Sequence, residues 1–244
     1  MGTSRGAGRK ARGITGCGAN GRGLKPMSDT DLPRITPLPD GPLALEELAA
    51  AGHCLCRDDD DPYLERGPHM LCRCGGSSTK PYCDGTHLSN GFSSENTSDH
   101  RRDHRDDYEG DGIVVHDNRH ACAHAEECIH GAPGVFHKMH RPWVTPAGVD
   151  PETLAEVIRR CPSGALSHSR GGEELRDQDR PPRVRVMPGG PYRVQGHVRL
   201  AVPEDEWADQ VSREHYALCR CGGSANKPFC DGTHWRNGFA EAGE

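Results

Sequence analysis

Apolar residues in this chain come in short alternating stretches rather than in long runs. Val184 and Val186 alternate with arginines, and Tyr192 and Val194 repeat the pattern after a Pro-Gly-Gly-Pro turn. Because side chains along a strand point to opposite faces in turn, this period of two predicts a hairpin of two short strands. Residues 33–45 resemble this stretch, so the sequence predicts two similar small sheets, one early and one late in the chain.

The middle of the chain has a different pattern, with one short strand and one helix. Residues 113–115 are apolar and β-branched, which favours a strand. Further along, Asp150 is a suitable N-cap and Pro151 a suitable first residue for a helix, which Pro162 would end. The apolar face of that predicted helix has helical spacing: Leu154, Val157, Ile158 and Cys161. Cys161 is therefore expected to face the interior of the middle module.

The composition leaves little material for an ordinary hydrophobic core. Only 36 of the 244 residues are Leu, Ile, Val or Phe, about 15%, and below about 20% a conventional core becomes doubtful. Glycine and proline together make up 50 residues. Since metal binding contributes folding free energy directly, bound metal could supply the missing stability. The twelve cysteines are consistent with that expectation.

The expected compartment, the hydropathy and the charge of the chain exclude several classes of protein. Disulfides are favoured in secreted chains, but no apolar signal-peptide core follows the basic N-terminus, so reduced thiols in a cytoplasmic protein are expected. No apolar run approaches the roughly 20 residues that cross a bilayer, so no membrane association is expected. A net charge of -6 with intermixed acids and bases gives no nucleic-acid footprint. The Gly-rich basic residues 1–32 are expected to be a disordered tail, with Met27 as the natural start.

A duplicated motif is the most specific feature of the sequence. Residues 71–92 and 218–239 share 17 of 22 positions, and every potential ligand is among the matches. Each copy offers three thiolates and one imidazole, a complete set for a soft metal centre. The candidate ligands for a metal or a cluster are Cys72, Cys74, Cys83 and His87 in the first copy and Cys219, Cys221, Cys230 and His234 in the second.

The spacing within each copy presents the ligands as two close pairs. Cys72 and Cys74 are separated by one residue, so both thiolates can turn to the same side of an extended segment. Cys83 and His87 are four apart, as are neighbours on one face of a helical turn. Pairs suit a [2Fe-2S] cluster, in which each iron takes two protein ligands. A structural zinc site with three Cys and one His is the alternative, although zinc loops more often have two to four residues between paired cysteines.

The motif resembles the signature of the CDGSH (NEET) iron-sulfur family. Both copies read Cys-x-Cys-x2-Ser-x3-Pro-x-Cys-Asp-Gly-Thr-His, with Thr86 and Thr233 where the family name has Ser. The resemblance covers about half of the chain in two blocks and implies one [2Fe-2S] cluster per motif, held by three Cys and one His. It therefore favours a cluster over zinc. The chain lacks the transmembrane helix of the membrane-anchored members and is more similar to the soluble members with two motifs.

Three further cysteines lie between the two copies. Cys122, Cys128 and a distant Cys161 are similar to a ferredoxin cluster loop in which Ala125 replaces one cysteine. Residues 122–166 resemble the divergent mono-cluster ferredoxin-like domain that often accompanies CDGSH motifs. That resemblance implies a third cluster, either [3Fe-4S] or a [4Fe-4S] cluster with a fourth ligand that is not cysteine. Candidates for this fourth ligand are His124 and Glu126. A purely structural group of cysteines is the alternative.

The expected fold class is α+β, built from small β-rich iron-sulfur modules. One unit of about 60 residues would struggle to fold alone, whereas two copies in one chain can pair like the subunits of a two-fold dimer. The sequence therefore predicts a monomer with an internal pseudo-twofold NEET-like dimer and a ferredoxin-like α/β insert. The expected domains are the tail at 1–32, CDGSH units at 33–92 and 182–240, linkers at 93–107 and 170–181, and the insert at 108–169.

The expected function is electron transfer, cluster transfer or redox sensing. The partner would be a redox protein or an apo-protein that accepts a cluster. No nucleophile with its base, no nucleotide-binding loop and no substrate pocket can be read from the sequence, so an enzyme is not expected. The alternative function is a zinc-stabilised interaction module without a redox role.

Replacing both histidine ligands tests their expected role. A neutral imidazole in place of a thiolate makes a cluster less negative and raises its reduction potential, and a protonated imidazole no longer binds metal. The double variant His87→Cys with His234→Cys should therefore have a lower reduction potential and keep its clusters further into acid. Redox titration and visible absorbance during acidification measure the two properties. Unchanged acid lability would contradict the role given to histidine.

Overall fold

A computed structural model describes residues 32–46, 55–63, 68–99 and 103–240. Met27, Cys54 and the basic tail up to residue 31 fall outside these ranges. Twelve strands and two helices form within the described part of the chain, and none of its helices is long and apolar enough to cross a membrane. The strands are β1 Arg34–Pro37, β2 Leu43–Glu46, β3 Leu55–Arg57, β4 His69–Leu71, β5 Asp106–Gly110, β6 Ile113–Asp117, β7 Leu166–Arg170, β8 Glu173–Leu175, β9 Arg183–Val186, β10 Tyr192–Gln195, β11 Arg199–Leu200 and β12 Tyr216–Leu218. The helices are α1 Glu127–Gly131 and α2 Pro151–Arg159.

The two CDGSH-like units, hereafter the first unit and the second unit, exchange strands. One sheet has the order β11-β1-β2-β4 and the other β12-β10-β9-β3, so each combines three strands of one unit with one strand of the other. The exchanged strands pair in parallel, with Ile35 opposite Leu200 and Leu55 opposite Val184. The predicted hairpins are confirmed as β1 with β2 and β9 with β10. The sequence pattern does not predict the parallel exchange.

One apolar core contains side chains of both units. Its strand residues are almost inaccessible to solvent, and Trp207 closes it against Phe229 with ring centroids 4.9 Å apart. Because burial of apolar surface stabilises a fold by about 25 cal/mol per Å², pooling the apolar residues of two small units stabilises both. The members from the first unit are Ile35, Leu43, Leu45, Leu55 and Leu71. Those from the second unit include Val184, Val186, Tyr192, Val194, Tyr216 and Leu218.

The insert has its own sheet and its own core. Its antiparallel strands have the order β5-β6-β7-β8, and the predicted strand at residues 113–115 is confirmed within β6. The predicted helix is confirmed as α2, where Oδ2 of Asp150 accepts a hydrogen bond from the backbone N–H of Thr153 at 2.9 Å. The apolar face of α2 is buried, and Cys161 beyond its end is 8% exposed. The helix therefore delivers this thiol to the interior of the insert.

Two edge strands extend the sheet of the insert beyond residues 108–169. β5 begins at Asp106, and β8 lies within residues 170–181, where the sequence predicts a linker. Both strands are short and rich in acidic residues, and most of their side chains are exposed. They form strands because their backbones pair with β6 and β7. Such pairing does not require an apolar pattern, so the sequence carries no sign of it.

Substitution of Leu55 tests whether the two units share one core. Its side chain is 1% exposed, and it lies on a strand that pairs with the other unit. Leu55→Ala should lower the free energy of unfolding by about 2–5 kcal/mol, as buried large-to-small substitutions do. A single transition should remain, because both units lose packing together. Denaturant unfolding followed by circular dichroism measures both properties.

A control variant at an exposed leucine shows what the loss of a leucine side chain costs when no buried packing is lost. Leu88 is 85% exposed, so Leu88→Ala should change the free energy of unfolding by less than about 0.5 kcal/mol. Two resolved transitions for the units in the Leu55 variant would contradict a shared core.

Candidate metal centres

The four candidate ligands of the first unit come together as two contacting pairs. β4 ends at Leu71, and the residues after it place Sγ of Cys72 3.7 Å from Sγ of Cys74. A 3-10 turn at Thr86–Leu88 places Nδ1 of His87 3.4 Å from Sγ of Cys83. These are the two pairs that the motif spacing predicts.

The second unit repeats this arrangement. The Sγ atoms of Cys219 and Cys221 are 3.9 Å apart, and Sγ of Cys230 is 3.4 Å from Nδ1 of His234. The backbone N–H of Gly232 also points at Sγ of Cys230, with the two heavy atoms 3.4 Å apart. Such amide contacts favour the thiolate form and tune the potential of a cluster bound to it.

An aspartate after the third cysteine holds each ligand loop closed. Asp84 accepts hydrogen bonds from the backbone N–H groups of Ser78 at 2.8 Å and Thr86 at 3.0 Å. Asp231 likewise accepts from the backbone N–H of Thr233 at 3.0 Å. Hydrogen bonds from Thr86 and Ser78 hold the pKa of Asp84 well below its usual range. Both carboxylates are therefore part of the loop scaffold rather than spare metal ligands.

A buried arginine between the first two cysteines ties each ligand loop to a hairpin turn. Nε of Arg73 donates to the carbonyl of Gly41 at 2.7 Å, and Nε of Arg220 donates to that of Gly190 at 2.8 Å. Burial lowers the pKa of Arg73, and the negative charge of Cys219 in its thiolate form opposes that shift. The guanidinium groups thus place positive charge beside thiolate ligands, which carry negative charge when a metal is bound.

The two ligand loops contact each other at matching positions. Cys74 and Cys221 pair as an isolated β-bridge. A Cβ built on Gly75 would lie 2.5 Å from the carbonyl oxygen of Cys221, and one on Gly222 would lie 2.6 Å from that of Cys74. Both glycines have φ of +77°. The absence of a side chain therefore permits both this backbone conformation and the close approach of the two loops.

One tyrosine of the second unit supports the ligand loop of the first. The hydroxyl of Tyr192 donates to the carbonyl of Cys72 at 2.7 Å and approaches that of Pro81 at 3.1 Å. The residue is completely buried. The sequence predicts only a strand at Tyr192. A contact between residues 120 positions apart leaves no local pattern in the sequence from which it could be predicted.

Burial raises the pKa of several candidate thiols and so favours their protonated form when no metal is bound. It raises the pKa of Cys230 to about 12, of Cys122 to about 11 and of Cys128 to about 12. Cys221, in contrast, accepts a hydrogen bond from the Cys219 thiol, which lowers its pKa to about 6. Metal binding must therefore displace protons from the buried thiols, and it is weakened as the pH falls.

The three cysteines of the insert line one small cavity. Cys122 follows a 3-10 turn, Cys128 lies in α1 and Cys161 follows α2. His124 and Glu126 line the same cavity, and their φ angles are +54° and +59°. Because residues other than glycine seldom adopt such angles, the loop between the first two cysteines is held in one specific shape.

A larger open cavity of about 860 Å³ adjoins two of these cysteines. Its wall combines the insert with Asp231 of the second unit and with five residues of the segment leading to the insert: Thr97, Ser98, Asp99, His104 and Asp106. Cys122 and Cys128 lie in this wall, so the centre of the insert faces a space that small molecules can enter.

The ligand sets differ from a site for one metal ion. Within the described ranges, no three or more His, Cys, Asp or Glu side chains form a group that could hold a single ion. The motif ligands meet as pairs of Cys with Cys and of Cys with His. Cys56, outside the motifs, is buried in β3.

Comparisons with known proteins point to the same regions. The family model described as "Iron-binding zinc finger CDGSH type" matches residues 40–88 and 189–235, and the model described as "Divergent 4Fe-4S mono-cluster" matches residues 108–171. The "Uncharacterized protein YjdI" of Escherichia coli K12 is 39% identical over 61 residues, which are 25% of this chain and 80% of that protein. Its counterpart in E. coli O157:H7 has the same identity and coverage. No solved structure gives a significant match.

The fold and the sites define a protein assembled from small, β-rich, cysteine-containing metal modules. The chain belongs to the CDGSH-type iron-binding family and carries a divergent 4Fe-4S mono-cluster domain between its two CDGSH regions. It is an iron-sulfur protein, and the resemblance stated from the motif is confirmed.

Gly75 tests the contact between the two ligand loops. Gly75→Ala should destabilise the fold by about 1–3 kcal/mol more than the backbone strain alone, because the new Cβ overlaps the carbonyl of Cys221. Gly91→Ala is the matched control, since its φ of +71° gives similar strain and a Cβ there meets nothing within 4 Å. Denaturant unfolding and bound iron per chain measure the effect. Equal destabilisation by the two substitutions would show that the loop contact contributes nothing.

Proposed function

We propose that this protein carries two [2Fe-2S] clusters and one [4Fe-4S] cluster, and that it transfers electrons or clusters to other proteins. The observation that carries the proposal is the repeated pairing of Cys with Cys and of Cys with His at 3.4 to 3.9 Å in both units. We assign Cys72, Cys74, Cys83 and His87 to the first cluster. We assign Cys219, Cys221, Cys230 and His234 to the second.

The chemistry of the donor set fits this assignment. Each pair can take one iron of a [2Fe-2S] rhomb, and the inorganic sulfides complete the four-coordinate shell of both irons. The buried Arg73 supplies positive charge near Cys219, and the buried Arg220 lies between Cys219 and Cys221 in the sequence. A structural zinc ion would need all four ligands around one point, and the described residues gather in twos.

The exchange of strands between the two units supports the same proposal. Each unit gives one strand to the sheet of the other, and the ligand loops meet at Cys74 and Cys221. We propose that the pair of units is an internal NEET-like dimer, so that a single chain holds both clusters without a second copy.

The cysteines of the insert are proposed ligands of the third cluster. Cys122, Cys128 and Cys161 line one cavity, and the matching family description specifies a 4Fe-4S cluster. His124 and Glu126 are the nearby candidates for a fourth ligand, and the Glu126 carboxylate already accepts a hydrogen bond from Lys138. A bound cluster would supply one-electron redox chemistry beside the open cavity.

A carrier role agrees with the exposed positions of the ligands. Cys74, Cys83 and His87 are partly exposed, so a partner can approach the first cluster closely. We propose redox proteins or apo-proteins with free thiol ligands as partners, and no catalytic reaction of the protein's own. The exposure of these ligands suits exchange with another protein better than a purely structural role.

Iron and sulfide analysis tests the proposal. Protein purified without oxygen should be red-brown, with about eight irons and eight acid-labile sulfides per chain for the three proposed clusters. Mössbauer and EPR spectra should show two [2Fe-2S] centres and one [4Fe-4S] centre. Colourless protein with stoichiometric zinc would overturn the proposal in favour of an interaction module.

Cysteine variants assign the iron to its ligands. Cys83→Ser and Cys230→Ser should each remove or perturb the signal of one [2Fe-2S] centre, because each replaces a thiolate ligand. Cys56→Ala is the matched control, since Cys56 is a buried cysteine outside every proposed ligand set and its replacement should leave the iron content unchanged. Loss of iron in the control alone would contradict the assignment.

A further inference from the structure

The insert covers the ligand loop of one unit and leaves the matching loop of the other uncovered. A Cβ built on Gly232 would lie 2.8 Å from Cβ of His124 in the insert. At Gly85, the matching position of the first unit, a Cβ would meet no heavy atom of the described residues within 4 Å. Two nearly identical loops therefore have different surroundings.

The burial of the ligands follows this difference. Cys230 is 3% exposed and His234 is 6% exposed, whereas Cys83 and His87 are both partly exposed. Cys230 packs in a small buried group with Ala217 and with Ala123 of the insert. The insert thus seals the Cys–His pair of the second unit from solvent.

Residues that differ between the two copies hold the insert in place. Nε1 of Trp235 donates to the carbonyl of His124 at 3.1 Å, and Nδ2 of Asn226 donates to the carbonyl of His120 at 3.1 Å. The indole ring of Trp235 also packs on the imidazole of His234, with centroids 4.9 Å apart. Asn226 is buried and Trp235 is 67% exposed, whereas the matching residues of the first unit, Thr79 and Leu88, are both exposed.

An ion pair adds to the same contact. Arg193 in β10 of the second unit lies 3.0 Å from Oε1 of Glu127 in α1. The backbone N–H of Thr97 also donates to the carbonyl of Ala225 at 2.8 Å, which fastens the segment leading to the insert. The position that matches Arg193 in the first unit is Ala44, which has no charge to offer.

We propose that the two duplicated sites have different roles: the first exchanges its cluster with outside acceptors, and the insert locks the cluster of the second in place. The acceptor is a protein that offers free cysteine thiols. In the exchange, the bonds from iron to Cys72, Cys74, Cys83 and His87 break and bonds to the acceptor's thiolates form. Protons lost by the acceptor's thiols would pass to the three released cysteines, any further proton would go to water, and nothing would be oxidised or reduced. This inference rests on the proposed function and adds which site serves it.

Chelator extraction from the full-length holo-protein tests the inference. With excess EDTA at neutral pH and without oxygen, visible absorbance should fall in separate phases, with the first site fast and the second slow. Cys230→Ser should retain the fast [2Fe-2S] phase, and Cys83→Ser should retain the slow one. Equal rates for the two sites would overturn the inference.

A variant that gives the second unit the residues of the first tests whether contacts with the insert cause the slow phase. Trp235→Leu with Asn226→Thr removes both hydrogen bonds, so the slow [2Fe-2S] phase should accelerate at least about tenfold. The fast phase should keep its rate and show that the variant is folded. Leu88→Ala is the control, and it should leave both phases unchanged because Leu88 is 85% exposed. An unchanged slow phase in the double variant would overturn the inference, whereas absence of any iron-sulfide chromophore would instead refute the proposed function.

Discussion

The exchange of one strand between the two units is the constraint on which the rest of the structure depends. Each unit alone has few large apolar side chains, and its hairpin would expose one face to water. The parallel pairing of β3 with β9 and of β11 with β1 places Leu55 and Leu200 in the sheet of the other unit. The pooled core then fixes β4 and β12, and the ligand loops begin where these two strands end. Packing between the units thus sets the positions of the candidate ligands.

The contact between the ligand loops follows from this arrangement. Once β4 and β12 are fixed, Gly75 and Gly222 lie against the backbone of the opposite loop, where no side chain would fit. The arginine between the first two cysteines points back into its own unit and binds the hairpin turn there. A buried guanidinium is costly unless its donors are satisfied, and backbone carbonyls satisfy these donors without adding negative charge. The positive charge therefore remains available to the thiolates.

Features with a local cause could be predicted from the sequence, and features that depend on long-range contacts could not. The hairpin at Val184 and Tyr192 and the helix after Asp150 follow from periodicity and capping, and the ligand pairs follow from spacing. The exchanged strands are only two or three residues long, which is too short for any periodicity. Tyr192 acts on Cys72 across 120 residues of sequence. The edge strands β5 and β8 are acidic, and they form through backbone pairing and polar side-chain contacts such as that of Asp107 with His116.

The duplication explains how one loop could acquire a cover while the other stayed open. Ligands and scaffold are fixed by chemistry, so the copies differ at only five of 22 positions in the motif. Two of these five, Asn226 and Trp235, donate hydrogen bonds to backbone carbonyls of the insert. Backbone carbonyls accept hydrogen bonds whatever the side chain of their residue. These contacts therefore constrain the residues of the second motif copy more than the sequence of the insert. Differences confined to the rim of a site can therefore change its access to solvent while leaving its ligand set intact.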